Sequence, residues 1–285
     1  RSEAGVWRQA LALFTQSLQL DPGFASAWAE RGRIERILGK YEDASLLPVA
    51  SASLGRALEL DPGHGAAQYY AAQLDIDLGH VDVALSRLLA RLAEQRAEPH
   101  VLAALVHACR YGGLLDASVA AHAAAVHLDP TVATSVLHTY YMRGDYARAL
   151  ADAHRSSDPY EARVLGAMGR HDEALAAARA EEARFAAVPL LSAFSRGLRA
   201  ALEGDVSTVA ASLARFEASH FTDGEGCFYW AEICAAAGMV EEAFAVLTRA
   251  VDAGFLCLSA YERDVYLAPL RQHAAWGPMR ARLAD

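Results

Sequence analysis

Apolar residues recur at three- and four-residue intervals along most of the chain, and the same short signals interrupt them again and again. Ala10, Phe14 and Ser17 lead to Pro22, and Ala50, Leu54 and Ala57 lead to Pro62. Ser118, His122 and Ala125 lead to Pro130 with a weaker version of that spacing. Such intervals place the named side chains on one face of a helix, where the small ones let a neighbour approach and the large one fills the gap. Each run ends in a Leu-Asp-Pro step, at Leu20, Leu60 and Leu128. Proline lacks the amide hydrogen and clashes with the preceding turn, so it stops one helix and suits the first turn of the next.

A second signal alternates with the first. Gly39, Gly79, Gly144, Gly169, Gly204 and Gly238 each close an apolar run and precede another, and Gly113 belongs with them. Glycine readily supplies the left-handed residue that ends a helix and turns the chain tightly. Proline and glycine stops in alternation predict helix-turn-helix hairpins in series. Composition agrees: 54% of residues are hydrophobic with a large alanine share, and runs of β-branched residues are few, so strands are not expected.

These residues resemble the tetratricopeptide repeat, a helix pair of about 34 residues with Trp, Leu, Gly, Tyr, Ala, Phe and Pro at fixed offsets. Trp28, Gly32, Gly39, Tyr41 and Ala44 match it best, and the resemblance runs roughly from 4 to 253. It departs from the pattern at an insertion around Leu46 to Ser53, at extra residues before Pro99 and in shortened units from Thr131 to Phe185. The resemblance implies an all-α fold: a right-handed superhelical solenoid of about seven to eight antiparallel hairpins over 1–254. Residues 255–285 are expected to form a C-terminal capping segment. That stretch, from Phe255 through Arg263, Leu270 and Trp276, is similar to segments that close repeat arrays on bacterial kinases, nucleotide cyclases and winged-helix regulators. With Arg1 at its start, the chain is expected to be a piece of a larger signalling or regulatory protein.

Charge and cysteine usage narrow the partners. A formal net charge of -9 repels phosphate backbones and anionic lipid, so nucleic acid is not expected. Lys40 is the only lysine. No apolar stretch escapes charge long enough for a span of about 20 residues, so membrane insertion is not expected either. Cys109, Cys227, Cys234 and Cys257 form no CxxC pair, which suits free thiols in a reducing, cytoplasmic setting.

The chain shows no kinase, P-loop, HExxH or GxSxG motif, so no catalytic residue, cofactor or metal is expected. Gly224 and Gly226 look superficially like a phosphate loop, but Asp223 and Glu225 beside them would repel a phosphate; a plain loop between hairpins is the simpler expectation. The alternative is a metal- or thiol-dependent enzyme near His107, Cys109 and His138, with Asp77 close by in the repeat order. Trp28, Phe14, Leu54 and Leu88 fall at core spacing, and truncating a buried Trp28 would cost about 3–5 kcal/mol.

In arrays of this type the first helix of each hairpin lines the concave side. That face should present Glu30, Arg33 and Arg36; then Tyr69, Tyr70, Gln73 and Asp77; then His107, Arg110 and Tyr111. His138, Tyr141 and Met142 follow, then Tyr160 and Arg163, Phe194, and finally Phe228, Tyr229 and Glu232. Aromatic and arginine side chains dominate binding hot spots. The expected function is therefore a non-catalytic interaction or sensor module holding a protein or peptide in an open inner groove. Apolar groups would rest on Tyr69, Tyr70, Tyr111 and Tyr141, and an acidic partner's carboxylates would meet Arg33, Arg36 and Arg110. On that expectation, truncating Tyr70 and Arg110 weakens capture and spares the fold. A structural spacer or homo-oligomerising module is the remaining alternative.

Overall fold

Small residues set how closely the helices stack. A Cβ on Gly32 would lie 2.6 Å from Leu54 Cγ, and one on Gly39 would lie 2.8 Å from a Leu47 methyl, so the first hairpin packs through bare backbone. Ala50, Ala57, Ala84, Ala125, Ala149 and Ala174 are fully buried at matching positions further along. The result, in a computed structural model describing residues 3–94, 98–156, 159–219 and 221–284, is an all-α array of helix hairpins. No strand occurs among the described residues.

Helix α1 (Glu3–Leu20) packs on α2, and α2 to α15 pair off as seven hairpins. They are α2 (Ala25–Tyr41) with α3 (Leu46–Leu60), α4 (Gly65–Asp77) with α5 (Val81–Glu94), and α6 (Pro99–Tyr111) with α7 (Leu115–Leu128). Next come α8 (Val136–Met142) with α9 (Tyr146–Ser156) and α10 (Glu161–Ala167) with α11 (His171–Arg184). The last are α12 (Pro189–Glu203) with α13 (Val206–Ala218) and α14 (Gly224–Ala236) with α15 (Val240–Asp252). Beyond them lie α16 (Leu258–Arg263), a 3-10 turn (Leu270–Gln272) and α17 (Trp276–Ala284). No described helix is long and apolar enough to cross a membrane.

The irregular units fall where the spacing broke. Both α8 and α10 have 7 residues, and the insertion at Leu46 forms the opening turns of α3. The extra residues before Pro99 lie outside the described residues. Pro99 and Pro189 occupy first turns, where the missing amide hydrogen costs nothing. Trp28 departs from its expected burial: its indole N–H donates to Pro22 O at 2.9 Å, but the ring lies at the thin first end of the array and is only partly covered. Its truncation therefore costs less than a core tryptophan's.

The array bends until its two ends meet. Gly79 and Gly254 both have positive φ, at 81° and 79°, and their backbones touch, so that a Cβ on Gly254 would sit 2.4 Å from Gly79 Cα. Close by, Leu256 N–H donates to Tyr111 O at 3.1 Å. One continuous core then runs from α4 to α17.

Positive φ at Gly144 is shared, but nothing lies near a Cβ there. Gly144→Ala should therefore cost only about 1–2 kcal/mol of left-handed strain. Gly254→Ala should cost clearly more, because a methyl cannot occupy the space of the Gly79 backbone. Urea denaturation of the two variants measures the difference; equal losses would mean the ends do not meet.

Candidate functional site

Helix α14 is buried around its whole circumference, from Gly224 to Ala235, with Glu225, Tyr229 and Glu232 as one polar stripe among apolar residues. A helix of that kind belongs inside a packed structure. Its sequence makes the fit possible: Asp223 caps the first turn by accepting from Gly226 N–H at 2.7 Å. A Cβ on Gly226 would lie 2.3 Å from the Phe221 ring, and one on Gly224 would lie 2.9 Å from Ala250 O. The two glycines thus open a buried helix and are not an inter-hairpin loop. No open cradle for phosphate exists there.

The start of α14 carries carboxylates into the inner face of the array, where cations from the earlier hairpins meet them. Lys40 Nζ lies 2.7 Å from Asp223 and 3.0 Å from Asp77. The Arg110 guanidinium grips Glu225 with two bonds of 2.9 Å and uses its third nitrogen on Ser135. Arg163 pairs with Glu232 about two turns further along α14 and lies 4.7 Å over the Tyr229 ring. Hydroxyls complete the set: Tyr111 donates to Asp223 at 2.7 Å, Tyr229 to Glu225 at 2.6 Å and Tyr141 to Asp264 at 2.8 Å.

Between these pairs lies a cavity of about 470 Å³ to which all seven first helices contribute wall. The inner face is therefore a partly enclosed chamber where the repeat pattern implied an open groove, because α14 and the turn after α15 cross over to α2, α4 and α6. Of the residues expected on this face, Tyr69, Gln73, His107, Arg110, His138, Tyr160, Arg163, Phe194 and Tyr229 line the chamber. Arg36 and Asp77 pair with each other behind the wall. Glu30, Arg33 and Tyr70 instead form their own cluster between α2 and α4, with Tyr70 donating to Glu30 at 2.8 Å. Tyr111, Tyr141, Met142, Phe228 and Glu232 are buried in contacts within the chain.

Arg36 and Arg110 are thus committed to Asp77 and Glu225, so the carboxylates they were expected to take from a partner come from the chain itself. The wall also includes Lys40, Ser135, Leu190, Asp223 and Glu225, none of which the repeat offsets single out, and Tyr41, which those offsets mark as a repeat position and not as part of this face. A signal was present, since a lone lysine and two acids beside a buried glycine pair are conspicuous in so apolar a setting.

His107 and His138 do converge, on opposite sides of Glu225, at 3.9 and 3.7 Å. Cys109 does not join them, because two residues along α6 turn it into the apolar core. Among the described residues, no group of three His, Cys, Asp or Glu side chains is placed to hold a metal ion. Burial pushes the Cys227 and Cys234 thiols up to about 12 and Cys257 up to about 11, so these are not thiolate nucleophiles at neutral pH.

Burial and the Arg110 charge depress His107 to about 3, even though Glu225 and Asp77 face it and oppose the shift; Lys40 adds to it. Burial alone would raise Asp77, but Lys40 and Arg36 hold it at about 2.

Two consequences are measurable. Arg110→Ala strands a buried carboxylate and should cost about 3–5 kcal/mol, while Arg110→Met combined with Glu225→Leu should recover most of that loss. Arg110 is thus a residue whose truncation disturbs the fold, contrary to the expectation from sequence. The second concerns acid. His107 binds a proton near pH 6.5 when unfolded but only near 3 when folded, so its penalty is absent above about pH 6.5 and grows as pH falls, by up to about 1.4 kcal/mol per unit. His107→Phe should flatten the loss of stability between pH 7 and 5 in urea titrations; an unchanged slope would show that His107 is not held neutral. Asp77 contributes lower down, with stability present above the usual carboxylate range and lost as pH falls through about 2.

No protein-family model matches the chain, and no curated protein matches it in sequence.

Proposed function

We propose that the chain is a non-catalytic recognition module of the tetratricopeptide type that binds a peptide segment of a partner protein through its central chamber. The observation that carries this is the convergence of all seven first helices on one cavity of about 470 Å³, with side chains held in place by paired charges. Such a volume lies within the range of pre-formed ligand sites, roughly 300–1,000 Å³. Walls fixed by ion pairs and stacked rings lose little entropy when a ligand enters, which favours affinity. The polar groups in the wall are spent on one another, and that suits holding a ligand better than transforming it. A cytoplasmic signalling or regulatory role, in a larger bacterial protein, is the setting the repeat resemblance suggests. There, tethering to an effector would make micromolar affinity, about -8 kcal/mol, sufficient.

Ala133 lies in the chamber wall, is exposed and precedes α8, so a larger side chain there can fill the cavity without entering the core. Peptides selected from a random library against the intact chain should bind Ala133→Trp at least about tenfold more weakly, a difference of about 1.4 kcal/mol. Ala151→Trp, on the exposed side of α9, should bind them normally. Selected peptides that ignore the filled chamber would place the binding surface elsewhere.

A further inference from the structure

The chamber wall has an unusual balance of charge and surface. Every cation that reaches it already holds a carboxylate: Lys40 lies between Asp77 and Asp223, Arg110 grips Glu225 and Arg163 meets Glu232. The remaining wall acid, Glu181, accepts from Ala162 N–H at the start of α10. His107 is held neutral by burial and by Arg110. A charged ligand group would therefore lose its water without gaining an unengaged counter-charge, which disfavours its entry.

What the wall offers instead is ring surface. His138 stacks on Tyr229 with centroids 5.8 Å apart, and Tyr160 meets both rings edge-on at 4.6 and 5.1 Å. Tyr69 and Phe194 extend the aromatic lining on either side. One polar feature of the wall stands apart: the Tyr160 hydroxyl is buried and makes no hydrogen bond of normal geometry, with only the Tyr229 side chain near enough to interact weakly. A poorly satisfied buried hydroxyl is costly, and an acceptor brought close by a ligand would relieve it.

We infer that the partner's anchor in this chamber is an uncharged aromatic side chain carrying a hydrogen-bond acceptor, as tyrosine does. The inference rests on the chamber being the binding site. Its flat ring would stack among Tyr69, Tyr160 and Phe194, and its oxygen would lie near the Tyr160 hydroxyl.

The test uses Prodan, a neutral naphthyl ketone whose fluorescence reports an apolar site, and 6-(dimethylamino)naphthalene-2-sulfonate, which carries a negative charge on the same ring system. Prodan should bind the intact chain, and the anionic dye should bind at least about tenfold more weakly. Ala133→Trp should abolish the Prodan signal and Ala151→Trp should preserve it, with circular dichroism confirming that both remain helical. Tripeptides blocked at both ends should then compete for the bound dye. One with a central tyrosine should displace Prodan at concentrations where those with central glutamate or lysine do not, and Tyr160→Phe should reduce the tyrosine peptide's advantage.

Competition by a charged peptide as strong as that of the tyrosine peptide, or equal binding of the anionic dye, overturns the uncharged anchor and leaves the chamber as a site. Prodan held in the chamber but displaced by no peptide overturns the peptide origin of the anchor. Failure of Prodan to bind, or binding indifferent to Ala133→Trp, defeats the chamber itself.

Discussion

The buried grip of Arg110 on Glu225 is the contact on which the arrangement of the inner face depends. It joins α6 to α14 across more than a hundred residues of sequence. Neither group would tolerate the interior alone, since an ionised side chain loses several kcal/mol of hydration on burial. Together, with Ser135 and Tyr229 completing their hydrogen bonds, they are satisfied. Such a pair adds little net stability over apolar residues of the same shape, but it penalises any register of α14 that would leave either charge unmatched. Lys40 with Asp223 and Arg163 with Glu232 impose the same condition at two further points along the inner face.

Seen this way, the curl of the array has a division of labour. Apolar burial drives α14 inward, because most of its surface is apolar and its one polar stripe, Glu225, Tyr229 and Glu232, finds its partners within the chain. The ion pairs select where it comes to rest, and the bare backbones of Gly79 and Gly254 permit the final approach. Each of the three devices fails without the others: burial alone is non-directional, charges alone are worth little near water, and glycine contact supplies no attraction of its own.

Much of the fold was legible in the sequence because its governing signals are local. Gly39 against Leu47, the prolines at helix starts and the glycines at turns act within one or two hairpins, so their spacing alone predicts paired helices. The identity of the inner face was legible in part, since first helices face inward and Tyr69, His107, Arg110, His138 and Tyr229 follow from periodicity. What the offsets could not show was closure. Nothing local in Arg110 distinguishes a cation waiting for a partner from one already matched, because its carboxylate stands 115 positions away. Asp223 and Glu225 were visible as acids hostile to phosphate, yet their counter-charges on α2 and α6 depend on the summed bend of every intervening repeat. The short units at α8 and α10 lie within that run, and curvature is a cumulative property to which no single repeat testifies.

Closure also changes what the proposed recognition would require. An open groove selects partners along its length, with many weak contacts and charges free to answer charges. A chamber whose charges answer one another has withdrawn them from that task, and discrimination falls to shape, ring stacking and the few polar atoms left without a hydrogen bond of normal geometry. Among buried side chains of the wall, the Tyr160 hydroxyl is such an atom. Its neighbours Tyr229 and His138 are fixed through Glu225, so the same carboxylate that anchors α14 also holds the aromatic surface in place. Architecture and the proposed recognition are therefore coupled through one residue: a change at Glu225 that loosened the closure would disorder the rings as well, and the chamber would lose its shape.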